Sequence, residues 1–189
     1  MALRTIRLEE DEILRKRSKE VKQMTERTSE LIDDMIETVH DAYGAGLAAV
    51  QVGVLKRICI VTVEAPEPEV DEEGNELPVD PLIHNNGEDL VIINPEIIVN
   101  NEEMQCDTEG CLSFPGKFGY VNRPNDITLK ALDRNLEPFE IRARGLFARA
   151  IQHECDHMDG IVYVDKVENG EIYDVSDLAP EEEGEEIQE

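Results

Sequence analysis

A chain of 189 residues fits one domain of ordinary size, long enough to bury a core and too short to suggest two. Its 40% hydrophobic content argues against general disorder, and the unusual feature is a net charge of -26. Most of that charge sits in two segments: residues 64–90 carry ten acids and no Lys or Arg, and residues 165–189 carry eleven acids and one Lys. A field of this sign repels phosphate backbones and anionic lipid, so neither nucleic acid nor a membrane surface is an expected partner.

The opening MALRTIRLEEDEILRKR lacks the apolar stretch of an export leader, and no run of about 18 apolar residues follows it. The expected compartment is therefore the cytoplasm. The four cysteines, at 59, 106, 111 and 155, form no CxxC pair and do not resemble a secreted disulfide framework.

In chain order, Leu31, Ile32, Met35, Ile36, Val39 and Tyr43 recur at three- and four-residue steps after Thr28 and Ser29, predicting an amphipathic helix that stops at Gly44. Residues 57–63 (RICIVTV) and 90–99 (LVIINPEIIV) are rich in β-branched side chains and suit strands, with the acidic segment between them as an exposed loop. Residues 126–133 and 138–144 flank RNLE as a hairpin. Beyond Gly145, LFARAIQHECDHMD runs without a breaker until Gly160, predicting a second helix. Short antiparallel strands with two helices make the expected fold α+β. The end of the chain, EEEGEEIQE, has too little apolar content to offset the entropy of ordering.

The second helix carries the chemistry. His153 and His157 lie four residues apart, so both imidazoles share one helix face and reach a common ion, with Glu154 beside them. Two imidazoles leave a catalytic metal site one protein ligand short. The position where one known solution places a third histidine holds Tyr163, and the acidic tail offers no second helix, so the ligand is expected upstream. Cys155 is about 160–200° around the helix from both histidines and cannot share their ion. Cys59 alternates with Ile58 and Ile60 and reads as a small buried hydrophobe. Cys106 and Cys111 remain, and the turn-forming Gly110 and LSFPG around Cys111 favour it over Cys106 in its alternating run. One thiolate and two imidazoles leave a fourth position for water, with Glu154 placed to accept its proton, and the chemistry implied is hydrolysis of a carbonyl compound.

GAGLAAVQVG, residues 44–53, brings small residues together at a density that lets backbone approach a ligand. It lacks the GK[ST] of a phosphate loop and a well-formed GxGxxG, which disfavours nucleotide binding. Gln51 is its one strongly polar side chain and offers an amide donor to a developing oxyanion; a purely structural role for it stays open.

Taken in order, GAGLAAVQ, EGCLS and QHECDH resemble the three signature motifs of the peptide deformylases, and the resemblance covers most of residues 1–165. It implies antiparallel sheets around a central helix that carries the two histidines. It also implies removal of the formyl group from the N-formylmethionine of new polypeptides. By motif match Cys111, His153 and His157 would bind one divalent metal ion, Fe(II) as the native ion with Zn or Ni as substitutes. Glu154 would be the acid/base residue, Gln51 and the backbone N–H of Leu112 would hold the formyl oxygen, and Gly46 would lie against the substrate backbone. Glu109 and Asp156 are candidates for orienting the ligands, with Arg123 as the partner of Asp156. Phe118 stands where some members carry an Arg that meets the substrate. The expected organisation is a catalytic domain over 1–165, with the acidic insertion at about 64–90, and an acidic tail over 166–189. Some relatives end in a basic helix that docks on ribosomal RNA; the acidic end here disfavours that mode, while ribosome association through another surface stays open. Two other readings are a metallopeptidase that cuts internal bonds and a metal-binding interaction module without catalysis.

Overall fold

The computed structural model describes residues 2–71 and 74–178. The first helix, α1, runs Glu26–Asp41, two residues earlier than the spacing predicted, because Thr25 caps it by accepting a hydrogen bond from the Thr28 N–H. Its apolar stripe, with Ile32, Met35 and Val39 fully buried, packs with Leu47, Ile58 and Ile60 as one core.

Five strands form the larger sheet in the order β1 (Gly46–Ala48), β2 (Ile58–Val61), β3 (Leu90–Val99), β6 (Asp126–Leu132) and β7 (Pro138–Arg144), every neighbour antiparallel. The β6–β7 hairpin turns through residues 133–137, close to the sequence expectation. A smaller sheet joins β4 (Met104–Cys111), β5 (Phe114–Pro124) and β8 (Tyr173–Asp174). The β3 strand is interrupted between Ile93 and Glu96, where Asn94 adopts φ 51° and its side chain bonds both the N–H and C=O of Val21. That bulge ties the N-terminal segment to the central strand of the sheet.

The second helix, α2 (Gly145–Met158), lies between the two sheets. Ala148, Ile151, Cys155 and Met158 pack into the apolar core over the larger sheet. From the opposite side, Arg149 donates to the carbonyls of Gln105 and Val121, and Gln152 donates to that of Pro124. Gly160 ends the helix at φ +77°, and a Cβ there would lie 2.6 Å from the Arg15 carbonyl oxygen, so only glycine fits this stop. The mixed α/β architecture with antiparallel sheets and few helices agrees with the expected class.

The segment between β2 and β3 runs as an exposed loop bridged at Val70 and Glu76. Of the expected acidic tail, residues 166–178 are described, and β8 within it pairs with β5 at Lys117 and Phe118; residues 179–189 lie outside the described part. No helix among the described residues is long and apolar enough to cross a membrane.

Candidate metal centre and catalytic site

Three segments distant in sequence meet over the face of α2 that carries His153 and His157. Cys111 is the last residue of β4, and the ladder with β5 shifts register there: Gly110 opposes Phe118, whereas Cys111 opposes Phe114. Pro115, Gly116 and Lys117 are thereby looped out of the pairing, which bends the strand and aims the sulfur at the helix. Cys111 Sγ lies 3.3 Å from His157 Nε2. The ligand atoms of Cys111, His153 and His157 all lie within 4.8 Å of one another. A tetrahedral ion with one sulfur and two imidazole ligands needs donor separations of about 3.3–3.6 Å, so small side-chain adjustments suffice to close this set around one cation.

The histidines are held in different ways. His153 Nδ1 bonds Glu109 Oε2 at 2.9 Å, which directs Nε2 towards the thiol. Burial pushes the His153 ring down in pKa, but its bonds to Cys111 and Glu109 reverse this and raise it to about 10. The site thus favours positive charge at this position. His157 is fully buried, and burial with the charge of His153 holds it well below its ordinary value, so it is a neutral imidazole. Burial pushes the Glu154 carboxyl up to about 7, and its Oε2 is buried without a hydrogen-bond partner among the described residues. A carboxyl poised near neutrality with one free oxygen can accept a proton and give it back.

Glu109 is the hub of the support. It receives Arg123 Nε and Nη2, the latter at 2.8 Å, Arg149 Nη1 at 2.7 Å and the His153 ring. Burial pushes its carboxyl up, yet the hydrogen bonds from Arg123 and His153 outweigh this and hold it well below the usual carboxylate range. Arg123 also reaches Asp156 at 2.7 Å, and Lys166 closes the far side of Asp156 at 2.6 Å.

Gln51 sits on a short 3-10 turn, residues 49–52, directly after β1. Its Oε1 accepts from the Ala48 N–H, which fixes Nε2 beside Cys111 Sγ (3.4 Å) and Ser113 Oγ (3.2 Å). Gln51 and Cys111 line a cavity of about 490 Å³ with Gly44, Gly46, Leu112, Leu146, Arg149 and Ala150.

Residues 3–172 match the family model described as Polypeptide deformylase. The chain belongs to the peptide deformylase family. It is 48% identical over 183 residues to a peptide deformylase of Lachnoclostridium phytofermentans, covering 97% of this chain and 99% of the relative. A second relative, from Finegoldia magna, is 43% identical over 169 residues, covering 89% and 92% of the two chains. Among solved structures, a peptide deformylase from Ehrlichia chaffeensis superposes with TM-score 0.75 at 39% identity, covering 87% of this chain and 88% of its own. A structure of the Ehrlichia protein in complex with actinonin gives TM-score 0.73 at 41% identity, covering 88% and 90%.

In this peptide deformylase relative, every residue singled out by motif lies around the one cavity: Gly46, Gln51, Cys111, Leu112, His153 and Glu154 line it, and His157 lies beneath at the thiol. Asp156 and Arg123 pair as the resemblance implies. Cys155 faces the core and Cys106 is exposed on β4, away from the donor cluster. Phe118 stacks on Tyr173 of β8 with ring centroids 5.4 Å apart, which assigns it to holding the C-terminal strand. Sequence reasoning missed Arg149. A basic side chain in a helix reads as solvent-facing, and its partners, Glu109 and the Gln105 and Val121 carbonyls, all lie on strands distant in sequence.

Proposed function

We propose that this chain removes the N-formyl group from N-formylmethionyl peptides by hydrolysis and releases formate. The observation that carries the reading is the convergence of Cys111, His153, His157 and Glu154 on one cavity in a chain of the deformylase family. The ligands proposed for one divalent ion are Cys111, His153 and His157, and the donor set fits it: a soft thiolate, two imidazoles and surroundings that favour positive charge. When bound, such an ion polarises a carbonyl oxygen and lowers the pKa of water.

The protein's own groups do the rest. Glu154 takes a proton from the attacking water and returns it to the amine nitrogen as the C–N bond breaks, so formate and a free methionyl amine leave. Gln51 Nε2 and the Leu112 N–H hold the formyl oxygen as negative charge develops there. Glu109 keeps His153 in the orientation that faces the cavity. Gly46 leaves the width through which the substrate backbone passes, since a Cβ there would lie 2.6 Å from Glu154 Oε1. A Gly46→Ala variant therefore displaces the carboxylate. Its kcat/KM falls about 100-fold, because φ at Gly46 suits any residue and the Glu154 side chain, 2.6–2.8 Å from the added Cβ, must shift.

Fe(II) is proposed as the native ion, with Zn and Ni as substitutes. Metal analysis of anaerobically purified protein, paired with a formate assay, tests this: activity is lost on chelation, returns with Fe(II), and decays in air as the ion and thiolate oxidise. Formate release that survives complete removal of metal would overturn the reading. The remaining proposals are a catalytic unit over residues 1–165, which contains every site residue, and an acidic tail beyond it. The protein would act in the cytoplasm on nascent chains. Any ribosome contact would use a surface other than a basic C-terminal helix, with no direct nucleic-acid or membrane binding.

A further inference from the structure

Ser113 shares the two-residue turn between β4 and β5 with Leu112, directly after Cys111, and is fully buried. Burying a hydroxyl is unfavourable unless it is hydrogen-bonded. Among the described residues, the bond that Ser113 Oγ makes is the one it accepts from Gln51 Nε2 at 3.2 Å. Gln51 and Cys111 line the catalytic cavity and Ser113 lies outside its lining, so the hydroxyl acts on a substrate only through Gln51. The Ala48 N–H fixes Gln51 Oε1 at 2.8 Å, but the last torsion of a glutamine is a broad rotor, and one bond at the oxygen leaves the plane of the amide free to swing. A second bond, from one N–H to Ser113 Oγ, fixes that plane and leaves the other N–H facing Cys111 Sγ, 3.4 Å away on the cavity side. Without the hydroxyl, that sulfur is the acceptor left to Nε2 among the described residues.

We infer that Ser113 is a positioning residue for deformylation: its hydroxyl oxygen holds the Gln51 amide in the plane from which Nε2 meets the formyl oxygen as charge develops there. This rests on the reading that Gln51 stabilises that oxygen. A donor already aimed at the developing charge needs no rearrangement at the moment of reaction. Loosening it therefore weakens an interaction made only in the transition state, which lowers kcat and leaves KM alone.

The experiment is a double-mutant cycle on formate release from formyl-Met-Ala-Ser by the metal-loaded enzyme, with Ser113→Ala, Gln51→Ala and the two combined. Ser113→Ala lowers kcat about five- to tenfold with KM unchanged, the size of one net hydrogen bond. Gln51→Ala lowers kcat about 10²–10³-fold, and adding Ser113→Ala to it costs nothing further. Ser113→Thr keeps the accepting oxygen and retains kcat within about twofold. A merely structural hydroxyl is blind to Gln51, so equal losses from Ser113→Ala in the two backgrounds overturn the inference. An unchanged kcat in Ser113→Ala, or a loss in Ser113→Thr as large as in Ser113→Ala, overturns it too. Should Ser113→Ala not fold, the Gln51 side-chain amide protons of the Zn-loaded wild type decide by NMR: slow solvent exchange supports the inference, and exchange at the rate of a free amide overturns it. An unchanged kcat in Gln51→Ala removes Gln51 from the oxyanion site and this inference with it, while deformylation stands. No formate from the wild type overturns the deformylase reading itself.

Discussion

Replacing Glu154 by Ala lowers kcat/KM for formate release from a formyl-Met peptide by about 10²–10⁴-fold, with the full complement of metal retained. The carboxylate is not one of the three donors that cluster for the ion; it stands beside them, buried, with Oε2 unpartnered among the described residues. Removing it therefore takes away the proton carrier and leaves the ligands. Glu154→Gln keeps the shape and one donor but cannot cycle a proton, so it is expected to fall nearly as far. Stability moves the other way, because burying an amide or a methyl costs less than burying an ionisable group: Tm should hold or rise. An Ala variant with unchanged turnover would remove Glu154 from the reaction. Equal loss of metal and activity would instead make it a ligand.

Arg123→Met is expected to be the most destabilising single change. It strips the bidentate partner from Glu109 and the near partner from Asp156, and all three side chains are largely buried. Breaking a buried pair by removing one partner costs up to about 3–5 kcal/mol, although Arg149 and His153 still reach Glu109 and Lys166 still reaches Asp156. For a chain of this length that is roughly 6–20 °C in Tm by thermal unfolding. Glu109→Gln keeps the volume, leaves Arg123 and Arg149 without their shared anion and weakens the hold on His153, so metal affinity falls about 10–100-fold as measured by competition with a chelator. The pH dependence follows the same network. The folded-state pKa of Glu109 lies below that of the unfolded chain. Its contribution is therefore complete above the unfolded value of about 4.3 and is lost as pH falls through the folded one. Acid unfolding of the wild type should accordingly be steep below pH 4, and Glu109→Gln should flatten it. Coincident acid-unfolding curves for the two proteins would overturn the assignment.

Both helices are legible in the sequence because their apolar spacing is a property of the chain alone. The β6–β7 hairpin is legible for the same reason. The β5 strand is not: FPGKFGYVNRP contains two prolines, two glycines, a Lys and an Arg, and it becomes a strand through its pairing with β4 and the burial of Val121 and Arg123. That His153 and His157 share one face of α2 follows from helical geometry. Local context favours Cys111 over Cys106 without fixing it, since what aims Cys111 inward is a register shift against a partner strand. The N-cap of α1 is not legible from the sequence, because Thr25, Thr28 and Ser29 all carry capping side chains and only the fold gives the position to Thr25. Glu109, Arg123 and Arg149 come from β4, β5 and α2, and their mutual neutralisation is a property of the assembled sheets.

The loop-out at Pro115–Lys117 sets the phase of everything that follows on β5. Side chains alternate sides along a strand, so losing one residue from this cavity wall would rotate Arg123 to the solvent face while Glu109 stayed inside. A substitution at Gly116 strains the backbone, because φ is +73°, but its added Cβ would meet nothing within 4 Å and the phase is left untouched. A deletion in this wall would instead be felt first by an ion pair several residues away.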